Sequence, residues 1–65
     1  MVVKVIELIG SSPTSWEEAT KTAITKAGES LKNIHSVDVL GFKAVVENGK
    51  IKEYRTNVKI AFVIE

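Results

Sequence analysis

The side chains that could supply a nucleophile and a general base are five serines and a single histidine. They are Ser11, Ser12, Ser15, Ser30, Ser36 and His35. A serine hydroxyl attacks a substrate only when a base takes its proton, and the G-x-S-x-G signature that often marks this arrangement does not occur. His35 falls at the predicted end of a helix, where the helix dipole favours an imidazolium in a capping or surface role. The sequence therefore predicts that the protein is not an enzyme.

The acidic side chains are spread along the chain instead of being gathered into a metal-binding motif. The eight carboxylates lack the D-x-D-x-D spacing of a calcium loop. The chain has no cysteine and one histidine, which excludes thiolate and multi-histidine sites within one chain. No G-x-G-x-x-G sequence or P-loop indicates a nucleotide site. A calcium site shared between copies would leave no linear pattern, so calcium binding stays open and no metal ligands are assigned.

The charged residues and the apolar N-terminal run bear on the partners and on the cellular location. Nine basic and eight acidic side chains give a net charge of +1 and are interspersed, without the basic stripe of a nucleic-acid-binding protein. The apolar run Val2–Ile9 is interrupted by Lys4 and Glu7. It is too short to span a membrane and lacks the features of a signal peptide. We expect a soluble, cytoplasmic protein that binds neither nucleic acid nor membrane.

The C-terminal third of the chain alternates between apolar and more polar residues. From Tyr54 to Ile64 the even positions are mostly apolar and the odd positions include charged residues, which is typical of a strand with one buried face. The preceding stretch, Val37–Glu47, is also rich in β-formers. Asn48-Gly49 between them suits a type I′ turn, because both central residues of that turn need positive φ. A long β-hairpin is predicted.

A single helix is predicted between the first strand and this hairpin. Ser15 followed by Glu18 forms a capping-box pattern, and the helix should run from about Trp16 to Asn33. The middle of its apolar stripe is mostly alanine, and such small side chains let a helix lie close to a sheet. Gly28 weakens the helix, so it marks either a close approach of another backbone or a tolerated surface glycine, two equally weighted interpretations.

The predicted order is β-α-β-β, an α+β fold with a three-stranded antiparallel sheet and one helix, in which residues 1–65 form one domain. One helix covers only one face of such a sheet. Strict alternation along the second strand would place Val37, Val39 and Val45 on the other face as an apolar patch. Small chains without disulfides often gain their missing core from partner subunits. We therefore expect a homo-oligomer.

The run V-I-E-L-I-G-S-S at Val5–Ser12 leads into an alanine-bearing helix, and the run V-K-I-A-F-V-I-E closes the chain at Val58–Glu65. With these two segments, the chain resembles the dodecin family over essentially its full length. Dodecins are small β-α-β-β proteins whose sheet wraps the helix and which assemble as hollow shells of twelve. The resemblance implies binding and storage of flavins such as FMN or riboflavin, with paired flavins stacked between subunits.

The sequence departs from the flavin-binding dodecins at two positions. Ser36 stands where they have a tryptophan that stacks on the flavin, and Arg55 stands where they have a glutamine. The segment Gly10–Glu17 and the Tyr54-Arg55 pair resemble a branch without the stacking tryptophan, described as calcium dodecins. Trp16 itself lies in the first helical turn, and we expect it to pack in the core or as a staple. The favoured prediction is flavin-type binding and storage with Ser36 and Arg55 as ligand-binding residues. The alternative is a calcium-binding or purely structural assembly.

Overall fold

A computed structural model describes residues 1–64 as one antiparallel sheet and one helix. The elements are β1 (Val2–Ser12), α1 (Trp16–Gly28), β2 (Ile34–Glu47) and β3 (Lys50–Ile64). Both β1 and β2 pair with β3, which gives the strand order β1-β3-β2. The predicted β-α-β-β fold is confirmed. Within residues 1–64, no helix is long and apolar enough to cross a membrane.

The hairpin between β2 and β3 forms as the Asn-Gly pair predicted. Asn48 and Gly49 have φ values of 54° and 74°, the positive values that a type I′ turn requires. Glu47 and Lys50 face each other across the turn, so the pairing begins directly beside it. The hairpin makes the molecule elongated, with a longest dimension of 48 Å.

The helix begins where the capping pattern predicted but ends earlier than Asn33. Ser15 Oγ accepts a hydrogen bond from the Glu18 amide at 3.0 Å. After Gly28 the chain closes into tight turns, in which the Glu29 amide donates to a carbonyl three residues back, and Asn33 then adopts a φ of 62°. The left-handed residue redirects the chain into β2, so the predicted helix end was wrong. A Cβ added at Gly28 would have no atom of the described residues within 4 Å, which supports the interpretation of Gly28 as a tolerated surface glycine.

The helix-covered face of the sheet, here called the inner face, holds the core. Ala23 and Ala27 pack with Val58 and Ile60 in one buried cluster, and Ala19 is buried over Gly10. The small alanine side chains allow a close approach of helix and sheet, and large aliphatic groups on β3 fill the remaining space.

The closest approach of helix and sheet is at Gly10 of β1. A Cβ placed there would overlap the backbone carbonyl of Ala19 and would lie 3.0 Å from the Ala23 Cβ. The backbone contact that we considered for Gly28 therefore occurs at Gly10 instead.

The face assignment predicted for the second strand was wrong for half of its length. Val37 and Val39 pair with Ile60 and Val58 on the inner face, and Val37 packs against the core. A register shift between Val39 and Gly41 then exchanges the faces, because a β-bulge inserts an unpaired residue and reverses the alternation. The predicted patch of three valines does not form.

Other residues make up the uncovered apolar surface. On the face away from the helix, here called the outer face, β1 presents Val3, Val5 and Ile9, which are 47%, 52% and 65% exposed. The sheet thus has an incompletely covered face, as expected, with exposed apolar residues from β1. Of the three predicted valines, Val45, which pairs with Glu53, does lie on this face.

Candidate ligand-binding site

An open cavity of about 220 Å³ lies over the outer face, where all three strands contribute to its lining. The lining residues are Ile9 from β1, Gly41, Phe42 and Lys43 from β2, and Arg55 and Asn57 from β3. The register explains the grouping, because Asn57 pairs with both Ile9 and Gly41, and Arg55 pairs with Lys43. The cavity therefore adjoins the bulge of β2.

Arg55 is held in place by a neighbour on its own strand and face. Its Nε donates to Glu53 Oε1 at 2.9 Å, and its side chain is 43% exposed. This hydrogen bond is the main reason that the pKa of Glu53 lies below its ordinary value, and the Arg55 charge and a hydrogen bond with Ser11 act in the same direction. The guanidinium has two further amino groups, which suit bidentate binding of a phosphate or carboxylate.

A second cation faces Arg55 across the strands. Lys43 is the register partner of Arg55, and both side chains line the cavity. Like charges directly opposite each other destabilise a sheet, and Glu53 offsets only part of this repulsion. An anionic group in the cavity would relieve the rest. The electrostatics of this site therefore favour a negatively charged ligand.

Gly41 and Asn57 shape the middle of the cavity. Nothing lies within 4 Å of the position that a Cβ on Gly41 would occupy, so the missing side chain leaves the space open. Among the described residues, Asn57 Oδ1 is a buried atom without a hydrogen-bond partner. The sequence analysis did not single out Asn57 as a site residue. The sequence feature that could have indicated it is a neutral amide among the charged side chains at the odd positions of the last strand, Glu53, Arg55 and Lys59.

The two predicted ligand-binding residues lie on the same face but are far apart in one chain. Ser36 is exposed and pairs with Ala61, whereas Arg55 lies six positions earlier on β3. At 3.4 Å per residue this separates them by about 20 Å. A site that uses both Ser36 and Arg55 therefore needs different copies of the chain, and their ligand roles stay predictions.

Trp16 lies at the surface, on the helix side of the sheet near the edge formed by β2. Its side chain packs edge-on against Phe42 and Tyr54, with ring centroids 5.9 and 4.9 Å away. Its Nε1 donates to the Lys43 carbonyl oxygen at 3.1 Å. Of the two roles expected for Trp16, core or staple packing, the core role is wrong, because the side chain is 36% exposed and packs on the rings of Phe42 and Tyr54.

The described residues of one chain do not form a metal centre. Within residues 1–64, no three histidine, aspartate or glutamate side chains lie close enough together to hold a metal ion. His35 is exposed on β2, next to a register irregularity. A metal site would therefore need donors from more than one copy, or backbone oxygens.

The fold and this face define a small α+β protein with an open cavity beside two cations on one face of its sheet. The family model for dodecins matches residues 2–65. The chain therefore belongs to the dodecin family, as the sequence resemblance predicted.

Known relatives support this assignment at both the sequence and the structure level. The chain is 36% identical over 61 residues to the calcium dodecin of Mycobacterium tuberculosis. The matched region covers 94% of this chain and 86% of that protein. The crystal structure of a calcium-chelating antigen from the same organism, also called calcium dodecin, has a calcium-binding site. This chain matches that structure with a TM-score of 0.89 and 34% sequence identity. That match covers 100% of this chain and 93% of the other. A dodecin from Streptomyces coelicolor matches with a TM-score of 0.96 and 25% identity, over 98% of this chain and 91% of that one.

Proposed function

We propose that this chain is a single-domain binding and storage protein for a flavin-type small molecule, which works in the cytoplasm as a homo-oligomer and not as an enzyme. The observation that carries the proposal is the outer-face cavity with Arg55 and Lys43 on opposite strands. Two cations beside an apolar side chain, Ile9, suit a ligand that combines a planar ring with an anionic group. FMN has this combination, and riboflavin lacks the phosphate.

Four of the lining residues have distinct roles in this proposal. Arg55, oriented by Glu53, donates to the anionic group, and Lys43 adds a second positive charge. Gly41 leaves room for a ring against the backbone, and Ile9 covers part of it. Ser36 of another copy leaves space where an aromatic ring would stack, so we expect weaker flavin binding than in an aromatic sandwich.

The sheet is too long for the helix to cover, which supports the oligomer. The helix has 13 residues, about 20 Å at 1.5 Å per residue, whereas the molecule extends for 48 Å. The exposed apolar groups Val3, Val5 and Ile9 need a partner surface. We propose a shell of twelve copies, to be tested by native mass spectrometry. A stable monomer at micromolar concentration would contradict it.

The ligand is tested by titrating FMN and riboflavin and following the quenching of flavin fluorescence. Arg55→Gln should leave the fold intact and should weaken FMN binding more than riboflavin binding. An equal effect on both ligands, or dissociation of the oligomer, would make Arg55 a structural ion-pair residue instead.

Gly41→Val is a sharper test of the cavity itself. A Cβ added at this position meets no atom of the described residues within 4 Å, so there is room for a larger side chain to extend into the cavity. It should abolish the binding of both flavins while the unfolding temperature stays unchanged. Unaltered binding would place the ligand elsewhere on the molecule.

Ser36→Trp tests the missing ring. An added indole should strengthen flavin binding, since aromatic stacking contributes about 0.5–1.5 kcal/mol beyond area burial. Tight binding by the native protein with no gain from the indole would show that another surface binds the flavin.

The second candidate function is calcium binding, which the similarity to a calcium dodecin favours. On the outer face, Glu7 and Asp38 flank Lys59 from the two neighbouring strands. Carboxylates from several copies could together bind one ion. Calcium should then raise the unfolding temperature of the native oligomer and not that of a Glu7→Gln, Asp38→Asn variant. If neither calcium nor flavin binds, the assembly is purely structural.

A further inference from the structure

We propose that Trp16 is a positioning residue for the outer-face cavity, because it orders the part of β2 that forms one wall. This wall consists of Gly41, Phe42 and Lys43. The inference rests on the proposed ligand-binding function of the cavity and adds a residue outside its lining. Trp16 does not line the cavity, so it would act through the wall and not by touching the ligand.

The first contact is a hydrogen bond at the edge of the sheet. In the strand order β1-β3-β2, β2 is an edge strand, and an edge strand presents backbone groups that no neighbouring strand can bond. Trp16 Nε1 donates to one of these groups, the Lys43 carbonyl oxygen, at 3.1 Å. The indole thus holds the backbone of a residue whose side chain lines the cavity opposite Arg55.

The second contact is aromatic. The indole meets the Phe42 ring at an interplanar angle of 82° and the Tyr54 ring at 84°, both in edge-to-face geometry. Phe42 belongs to the wall, and although it is 67% exposed its ring packs against the indole. Because Tyr54 lies on β3, Trp16 connects the wall to the central strand as well as to the helix.

Apart from its pairing with β3 along one edge, the wall has little support from the rest of the chain. The register shift between Val39 and Gly41 interrupts the strand pairing immediately before the wall. The helix packs chiefly against β1 and β3 and only slightly against β2. Trp16 is therefore a principal tie between α1 and β2.

Trp16 is itself held in position by its place at the start of α1. Trp16 is the first residue of α1 and follows the cap formed by Ser15. The Thr20 hydroxyl donates to the Trp16 carbonyl oxygen at 3.0 Å. The indole is thus attached to a capped helix end, which suits it for setting the position of a neighbouring strand.

The test is Trp16→Phe, which keeps an aromatic ring and removes the N–H donor. Thr22→Val is the matched control, because it removes a side-chain hydrogen bond within the same helix, to Glu18, without contact to β2. Two measurements are made on the full-length oligomer: amide hydrogen exchange across the sheet and FMN affinity. We expect faster exchange at Gly41–Lys43 than in the native protein, unchanged exchange in β1, and FMN binding weakened roughly fivefold to tenfold, as loss of one hydrogen bond implies. Thr22→Val should change neither.

The outcomes separate this inference from the proposed function. If the native protein binds FMN and Trp16→Phe binds it equally well, Trp16 has no positioning role, whatever happens to the unfolding temperature. Unchanged exchange at Gly41–Lys43 in Trp16→Phe overturns the inference as well. If the native protein does not bind FMN, the proposed function is wrong, and the ligand-positioning role of Trp16 is rejected with it.

Discussion

Two neighbouring residues of β3, Thr56 and Asn57, lie on opposite faces of the sheet, one in a packed interior and the other at an open cavity. On the inner face, Thr56 is fully buried and pairs with Gly10, whose missing side chain lets the helix backbone approach. On the outer face, Asn57 pairs with Gly41, whose missing side chain leaves an open cavity. Glycine therefore permits dry packing on one face and exposes a polar floor on the other. The inner face carries the stability and the outer face is available for binding.

The largest effect should come from opening a void in the inner face. Ile60 is fully buried in the core, so Ile60→Ala should lower the free energy of unfolding by about 4 kcal/mol. Ile60→Val removes one methylene and should lower it by about 1 kcal/mol. Urea denaturation measures both changes. If Ile60→Ala lowers the free energy of unfolding by less than Ile60→Val does, the surrounding side chains have moved in to fill the void.

The two glycines provide the most direct comparison of the faces. Gly10→Ala places a methyl group against the Ala19 carbonyl, and we expect a loss of about 3 kcal/mol from overpacking. Gly41→Ala meets open space and should change the stability by less than about 0.5 kcal/mol. Thermal unfolding of both variants is the measurement. Equal effects would mean that the faces do not differ in packing as described.

A smaller effect is expected from the polar contact inside the inner face. The Thr20 hydroxyl lies 3.2 Å from that of Thr56, which is buried under the helix. Thr56→Val should cost about 1 kcal/mol, the net value of a typical hydrogen bond. A double-mutant cycle with Thr20→Val isolates the interaction between the two hydroxyls. A coupling energy of zero would show that they contribute independently.

The smallest effect concerns the ion pair on the outer face. Because Arg55 lowers the pKa of Glu53 in the folded state, this ion pair stabilises the protein at pH values above about 4.5, the ordinary pKa of this carboxyl group. That stabilisation is lost as the pH falls through the lower folded pKa. NMR titration should show a Glu53 pKa below its ordinary value that returns toward it in Arg55→Gln. An unchanged pKa in that variant would mean that Arg55 does not cause the shift.

The elements and their order followed from local patterns in the sequence. The Asn48-Gly49 turn, the cap at Ser15 and the alternation along β3 each depend on residues close together in the chain. Such features require only backbone preferences and the burial of one face, so they could be predicted without knowledge of the partner strands.

The faces of β2 and the cavity were decided by the tertiary structure. The bulge before Gly41 depends on how β2 aligns with β3, and it moved Val37 and Val39 to the inner face. The cavity exists because three strands bring Ile9, Gly41 and Asn57 side by side. The bond from Trp16 to the Lys43 carbonyl joins residues far apart in sequence. Local preference cannot encode these relations, since each arises from the register between strands and from the space left between their side chains.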